Sequence, residues 1–211
     1  MNEILGAVIV LCVIVVSMVL HELAHGSVAL ALGDTTAKND GRLTLNPIKH
    51  LDPFMSVLLP LISYFLGGVA FGGAKPVPIN TTKLKWGVWG MALVAIAGPL
   101  TNFVLAFVSF LIIVLGGVAA SSGLIYTILI EMLYVNLGFG VFNLIPIPPL
   151  DGSRVLYTLM PDRVREFMKR MEPMGIYIIY ILILVGGVGF SSLITGVMNG
   201  IIQGFYWIIG R

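Results

Sequence analysis

At 211 residues the chain is the size of a single domain, yet 58% of its residues are hydrophobic, 10% are charged and the mean hydropathy is +1.01. A water-soluble domain carries about 25% charged residues, so most of this surface must face lipid. A net charge of +2 without a dense Lys/Arg stripe excludes a nucleic-acid footprint, and a single cysteine, Cys12, excludes an intrachain disulfide.

Apolar stretches dominate the order of elements, and about 20 such residues span a bilayer as helix. The first runs from about residue 3 to 32 and carries His21, Glu22 and His25. Asp34–Asn46 then reads as a small β-hairpin, with Thr35 and Thr36 favouring strand and Asn39-Asp40-Gly41 supplying the turn. Residues 54–74 form a shorter apolar run broken by Pro60 and by the pairs Gly67-Gly68 and Gly72-Gly73. Helices follow over about 87–119 and 123–160, and an out-and-back helical pair over 174–210.

Basic residues set the orientation. Lys38, Arg42, Lys49, Lys75, Lys83 and Lys85 form one cluster, and a second lies between Arg154 and Arg170. Cytoplasmic loops collect Lys and Arg, which places the N-terminus outside and both clusters inside. A full crossing by 54–74 would put Lys38–Lys49 and Lys75–Lys85 on opposite sides, so that run reads as a re-entrant hairpin buried by other helices. The expected architecture is an all-α polytopic membrane protein of about five to six transmembrane helices, with a β-hairpin and a re-entrant segment. Residues 1–211 make one membrane-embedded domain, its core over about 1–160 and the C-terminal pair over 174–210. No PDZ or CBS module, repeat or soluble domain is legible.

The chemistry concentrates in His21-Glu22-Leu23-Ala24-His25. Residues four apart share a helix face, so both imidazoles can reach one ion. Imidazole nitrogen suits Zn²⁺, and a glutamate after the first histidine is placed to serve as general base. Three ionisable groups within five residues of a membrane helix are expensive and face an interior site. A third ligand is needed, with His50, Asp34, Asp40, Asp52, Glu131, Asp151 and Glu172 available. Depth favours Asp151, because it and the histidines both lie near the cytoplasmic ends of inward-running helices. Three prolines in Asn143-Leu-Ile-Pro-Ile-Pro-Pro-Leu-Asp151-Gly152 break the helix ahead of it, although a helix cap at the interface is the plainer role for such an aspartate. His50 reads as an interfacial loop histidine. Asn102 reads as a polar bridge between helices, with Gly98 allowing close approach. A divalent-metal transporter would spread carboxylates along several helices, and a silent binding protein would not need Glu22.

These motifs, with Phe71-Gly-Gly-Ala-Lys-Pro-Val-Pro78, Ala97-Gly-Pro-Leu-Thr-Asn102 and Asn46-Pro-Ile-Lys-His50-Leu-Asp-Pro53, give a chain that resembles the site-2 proteases. The last motif is similar to the compact bacterial and archaeal branch of that family. The resemblance implies an intramembrane zinc metalloendopeptidase of a prokaryotic cell membrane, its active site toward the cytoplasm. It implies one Zn²⁺ per chain on His21, His25 and Asp151, with Glu22 as base. It also implies that Asn143 faces the reacting peptide, where an amide can donate to the developing oxyanion. Residues 68–78 would meet an unwound substrate as a strand edge. The implied substrate is a transmembrane segment of another protein, cut within the lipid bilayer in regulated intramembrane proteolysis.

Overall fold

The computed structural model describes residues 3–52 and 75–210, and among these every regular element is helical. The main helices are α1 (Glu3–Ala31), α2 (Thr36–Asn39), α3 (Val88–Leu115), α4 (Leu124–Asn143), α5 (Asp151–Leu159), α6 (Asp162–Met171) and α7 (Gly175–Ile208). Short 3-10 turns lie at Pro47–His50, Thr81–Lys83, Ala120–Ser122 and Glu172–Met174.

Among the described residues, four helices are long and apolar enough to cross a membrane: α1, α3, α4 and the Val185–Ile208 part of α7. The expected count of five to six is not reached there, and residues 54–74, read as re-entrant, lie outside the described residues. The predicted 123–160 helix divides at the prolines, ending as α4 at Asn143 and resuming as α5 at Asp151. The predicted C-terminal pair is present within α7 as two helices that meet at a kink at Gly187, whose φ of 40° suits glycine.

The β-hairpin predicted over Asp34–Asn46 is absent; its first residues make the helical turn α2 instead. The cause is Asp34, which is fully buried. Its carboxylate accepts hydrogen bonds from the amide and hydroxyl of Thr36, which start a helical turn rather than a strand. Asn39 N and Asp40 N then donate to Thr35 O and Thr36 O at 2.9 and 3.0 Å, in helical register. The other carboxylate oxygen accepts from Asn80 N at 2.6 Å, tying the 75–83 segment to the end of α1. Burial pushes the Asp34 carboxyl up, but the Thr36 and Asn80 hydrogen bonds and the nearby Lys83 charge outweigh it. The group is held below the usual carboxylate range.

Helix α3 is the hub, packing along α1 and α4 and receiving α5, whose Thr158 hydroxyl donates to Val88 O at the start of α3. Toward its other end, Ala106 and Phe110 join Leu133, Leu137 and Phe205 in an apolar cluster linking α3, α4 and α7. Phe107, Phe110, Phe205 and Tyr206 pack there, mostly tilted or edge-on, at ring-centroid separations of 4.8 to 6.4 Å. Apart from this cluster α7 is largely exposed, as a helix facing lipid is.

Candidate metal centre

His21 lies 18 residues along α1, about 27 Å from its start at 1.5 Å per residue. That is close to the thickness of a bilayer's hydrocarbon core, about 30 Å, so the histidines sit near one membrane face. Asp151 reaches them because the 144–150 segment turns back after α4. Leu150 N donates to Ile147 O and Ser153 Oγ to Leu150 O, which starts α5 with Asp151 in its first turn. Gly152 is required beside it, because a Cβ there would strike the backbone of Leu144 and Ile145.

The three side chains converge. His21 Nε2 and His25 Nε2 are 3.0 Å apart, and Asp151 Oδ2 lies 3.2 Å from the first and 3.3 Å from the second. One face of a zinc tetrahedron has donor separations of about 3.3 Å for bonds of about 2.0–2.1 Å. Both histidines are buried, and Asp151 Oδ2 is buried without a hydrogen-bond donor.

Protons explain why that oxygen has no donor. His25 Nδ1 lies 2.7 Å from Val94 O, a group that accepts and never donates, so the ring proton is on Nδ1. His21 Nδ1 lies 2.6 Å from Asn102 Oδ1, with the same consequence. Both Nε2 atoms are therefore bare, and two lone pairs and a carboxylate face one another with nothing between them to attract. Such a set fits a divalent cation. The donor types, two imidazoles and one carboxylate, are those of catalytic zinc sites that keep a position open.

Gly98 makes the space. A Cβ on it would stand 2.6 Å from His21 Nε2 and closer still to His25 Nε2. Sequence reasoning assigned Gly98 to helix approach, and the approach in question is that of α3 to the two imidazoles.

Glu22 Oε2 accepts from Val77 N at 2.8 Å, which fixes the carboxylate and brings the 75–80 segment beside the site. Arg42 holds the same segment from the other side, Nη2 donating to Lys75 O at 2.7 Å. Lys75 N donates to His50 O, and His50 Nε2 lies 2.8 Å from Thr44 O, so His50 braces the loop. Residues 75–80 are irregular and not the strand that the resemblance implied, while 68–74 lie outside the described residues. Asn143, at the end of α4, donates Nδ2 to Phe139 O in its own helix at 3.0 Å and is not part of the converging set. Glu131, Asp40 and Glu172 also stand outside it.

The profile of Peptidase family M50 matches residues 112–186. The chain is 42% identical over 185 residues to the Bacillus subtilis protein named Putative zinc metalloprotease YwhC, a match covering 83% of this chain and 80% of that one. It belongs to peptidase family M50, the site-2 proteases. This M50 chain is also 30% identical over 175 residues to Putative zinc metalloprotease Rip2 of Mycolicibacterium smegmatis, covering 80% of this chain and 63% of that one. Zinc metalloprotease MJ0392 of Methanocaldococcus jannaschii is 29% identical over 162 residues, 77% of this chain and 37% of its own length. No solved structure matches. As a site-2 protease the chain is an integral membrane metalloendopeptidase with zinc as its cofactor.

Proposed function

We propose that the chain is an intramembrane endopeptidase in which His21, His25 and Asp151 hold the zinc and Glu22 is the general base. The observation that carries this reading is the convergence of Nε2, Nε2 and Oδ2 within 3.3 Å of one another, with both ring protons directed away. When bound, zinc supplies the Lewis acidity that polarises a carbonyl and makes water nucleophilic near neutral pH. Glu22, oriented by the Val77 amide, accepts the attacking water's proton and returns it to the leaving amine.

The substrate is a transmembrane segment of another protein, unwound where it is cut, in regulated intramembrane proteolysis. Depth supports this assignment, because the donor atoms lie near the end of a membrane helix rather than on an extramembrane surface. To Asn143 we assign the peptide carbonyl: its amide, which donates to Phe139 O in the free chain, would turn to the carbonyl when substrate binds. The basic clusters at Lys38–Lys49, Lys75–Lys85 and Arg154–Arg170 support a cytoplasmic side for this end, and the bacterial and archaeal relatives support a prokaryotic membrane. Residues 1–211 act as one membrane-embedded unit.

Cleavage of a model transmembrane substrate in detergent, with zinc assayed in the same samples, tests the reading. Glu22→Gln should lose about 10²–10⁴-fold in rate while keeping its zinc. Equal cleavage by wild type and variant would remove Glu22 from its role.

A further inference from the structure

A second buried polar group lies behind His21 and does not touch the candidate ligands' donor atoms. Asn102 and Asn136 are completely buried, as is Ser17. Asn136 Nδ2 donates to Met132 O at 2.8 Å and to Ser17 Oγ at 2.9 Å. Asn102 Nδ2 donates to Asn136 Oδ1 at 2.8 Å, and Asn102 Oδ1 faces His21 Nδ1. The row crosses from α4 through α3 to α1.

Its direction is not free. Met132 O is a backbone carbonyl and can only accept, so Asn136 must turn its NH2 that way and its oxygen toward Asn102. Asn102 must then offer NH2 to that oxygen, which leaves its own oxygen for His21. Facing an acceptor, His21 carries its proton on Nδ1 and leaves Nε2 bare. Were Asn102 reversed, its NH2 would face Nδ1, and the His21 proton would move to Nε2. It would then point at His25 Nε2 and Asp151 Oδ2, where it competes with a cation.

We propose that Asn136 is a positioning residue of the zinc centre: through Asn102 it fixes the tautomer of His21 and keeps Nε2 free to bind metal. The inference rests on His21 being a ligand. It assigns no contact with substrate to either asparagine. Groups behind a ligating histidine fix its tautomer and orientation, and losing one costs about 10–100-fold in metal affinity or activity.

The test measures zinc affinity by chelator competition on the full-length protein in detergent, for wild type, Asn136→Leu, the double variant Asn102→Asp/Asn136→Leu, and His21→Ala. Asn136→Leu leaves the Asn102 amide without a fixed direction and should bind zinc at least about tenfold more weakly. Aspartate at 102 offers oxygen on both sides, so no neighbour has to orient it, and the double variant should recover most of the affinity. A residue needed only for packing would not be rescued by a change at another position. Wild-type affinity in Asn136→Leu, or equal weakness in the single and double variants, would overturn the proposal. His21→Ala separates the two layers of the argument. Full zinc affinity in that variant would overturn the ligand assignment itself, whereas its loss confines either negative result to the asparagine row.

Discussion

The interface between α3 and α4 holds two patches built on opposite chemistry. Around Phe110, Leu133, Leu137 and Phe205 the helices meet through apolar shape alone. Around Asn102, about two turns from Phe110 along α3, and Asn136, next to Leu137 on α4, they meet through directed hydrogen bonds. In lipid an apolar side chain gains little from leaving the solvent, so the first patch holds by packing. The second sets which atom points where. The proposed metal centre stands on the second.

Changes at the polar end should therefore cost metal binding, and changes at the apolar end should cost stability with metal binding intact. The largest effect is expected from Gly98→Ala, whose methyl would displace both Nε2 atoms. Zinc content after purification should fall to background, and a stoichiometric zinc load would show that α3 can retreat without harm. Phe110→Ala opens a cavity in the other patch. It should lower the midpoint of thermal unfolding in detergent, and cost less stability than the roughly 3–5 kcal/mol of an aqueous core, because the transfer component shrinks in a lipid-like surround. Its zinc affinity should equal that of wild type, and a coupled loss would break the division between the patches. Ser17→Ala removes one acceptor from Asn136 Nδ2 but leaves Met132 O to orient the amide. Zinc affinity by chelator competition should change less than the roughly tenfold lower bound for losing a supporting group, and a larger change would shift the anchor from Met132 to Ser17.

The smallest effect concerns pH and lies away from both patches. Asp34 is depressed below its ordinary value in the folded chain, so its stabilising contribution is complete above about pH 4, the unfolded carboxylate value. It is lost as pH falls through the lower folded value. Unfolding followed between pH 6 and pH 3 should show a shallower acid loss in Asp34→Asn than in wild type. An unchanged slope would mean that other carboxylates carry the acid sensitivity.

The apolar helices were legible because membrane spans need length and composition and little else. The 21–25 spacing was legible because helix periodicity alone puts the two rings on one face. The prolines announced the break before Asp151. The hairpin failed for a local reason, since strand propensity at Thr35 and Thr36 gave way to the hydrogen bonds of one buried aspartate. Asn136 drew no notice in the sequence, although a buried amide in a membrane helix is costly enough to have been a signal. What pattern could not supply was direction: nothing in the order of residues says that a backbone carbonyl at Met132 decides which nitrogen of His21 is bare. That follows from contacts across three helices.

Those contacts also bear on when the protein becomes active. Ser17 and Asn136 are 119 residues apart in the chain, and Asp151 follows later still. At ribosomal speeds of about 5–20 residues per second, α1 waits on the order of 10 s before α4 and α5 arrive. During that interval the two histidines are already in the bilayer, without the carboxylate and without the amide that orients His21. With the proposed ligands, a nascent chain thus lacks the means to close its centre around a metal until the last helix of the set is threaded.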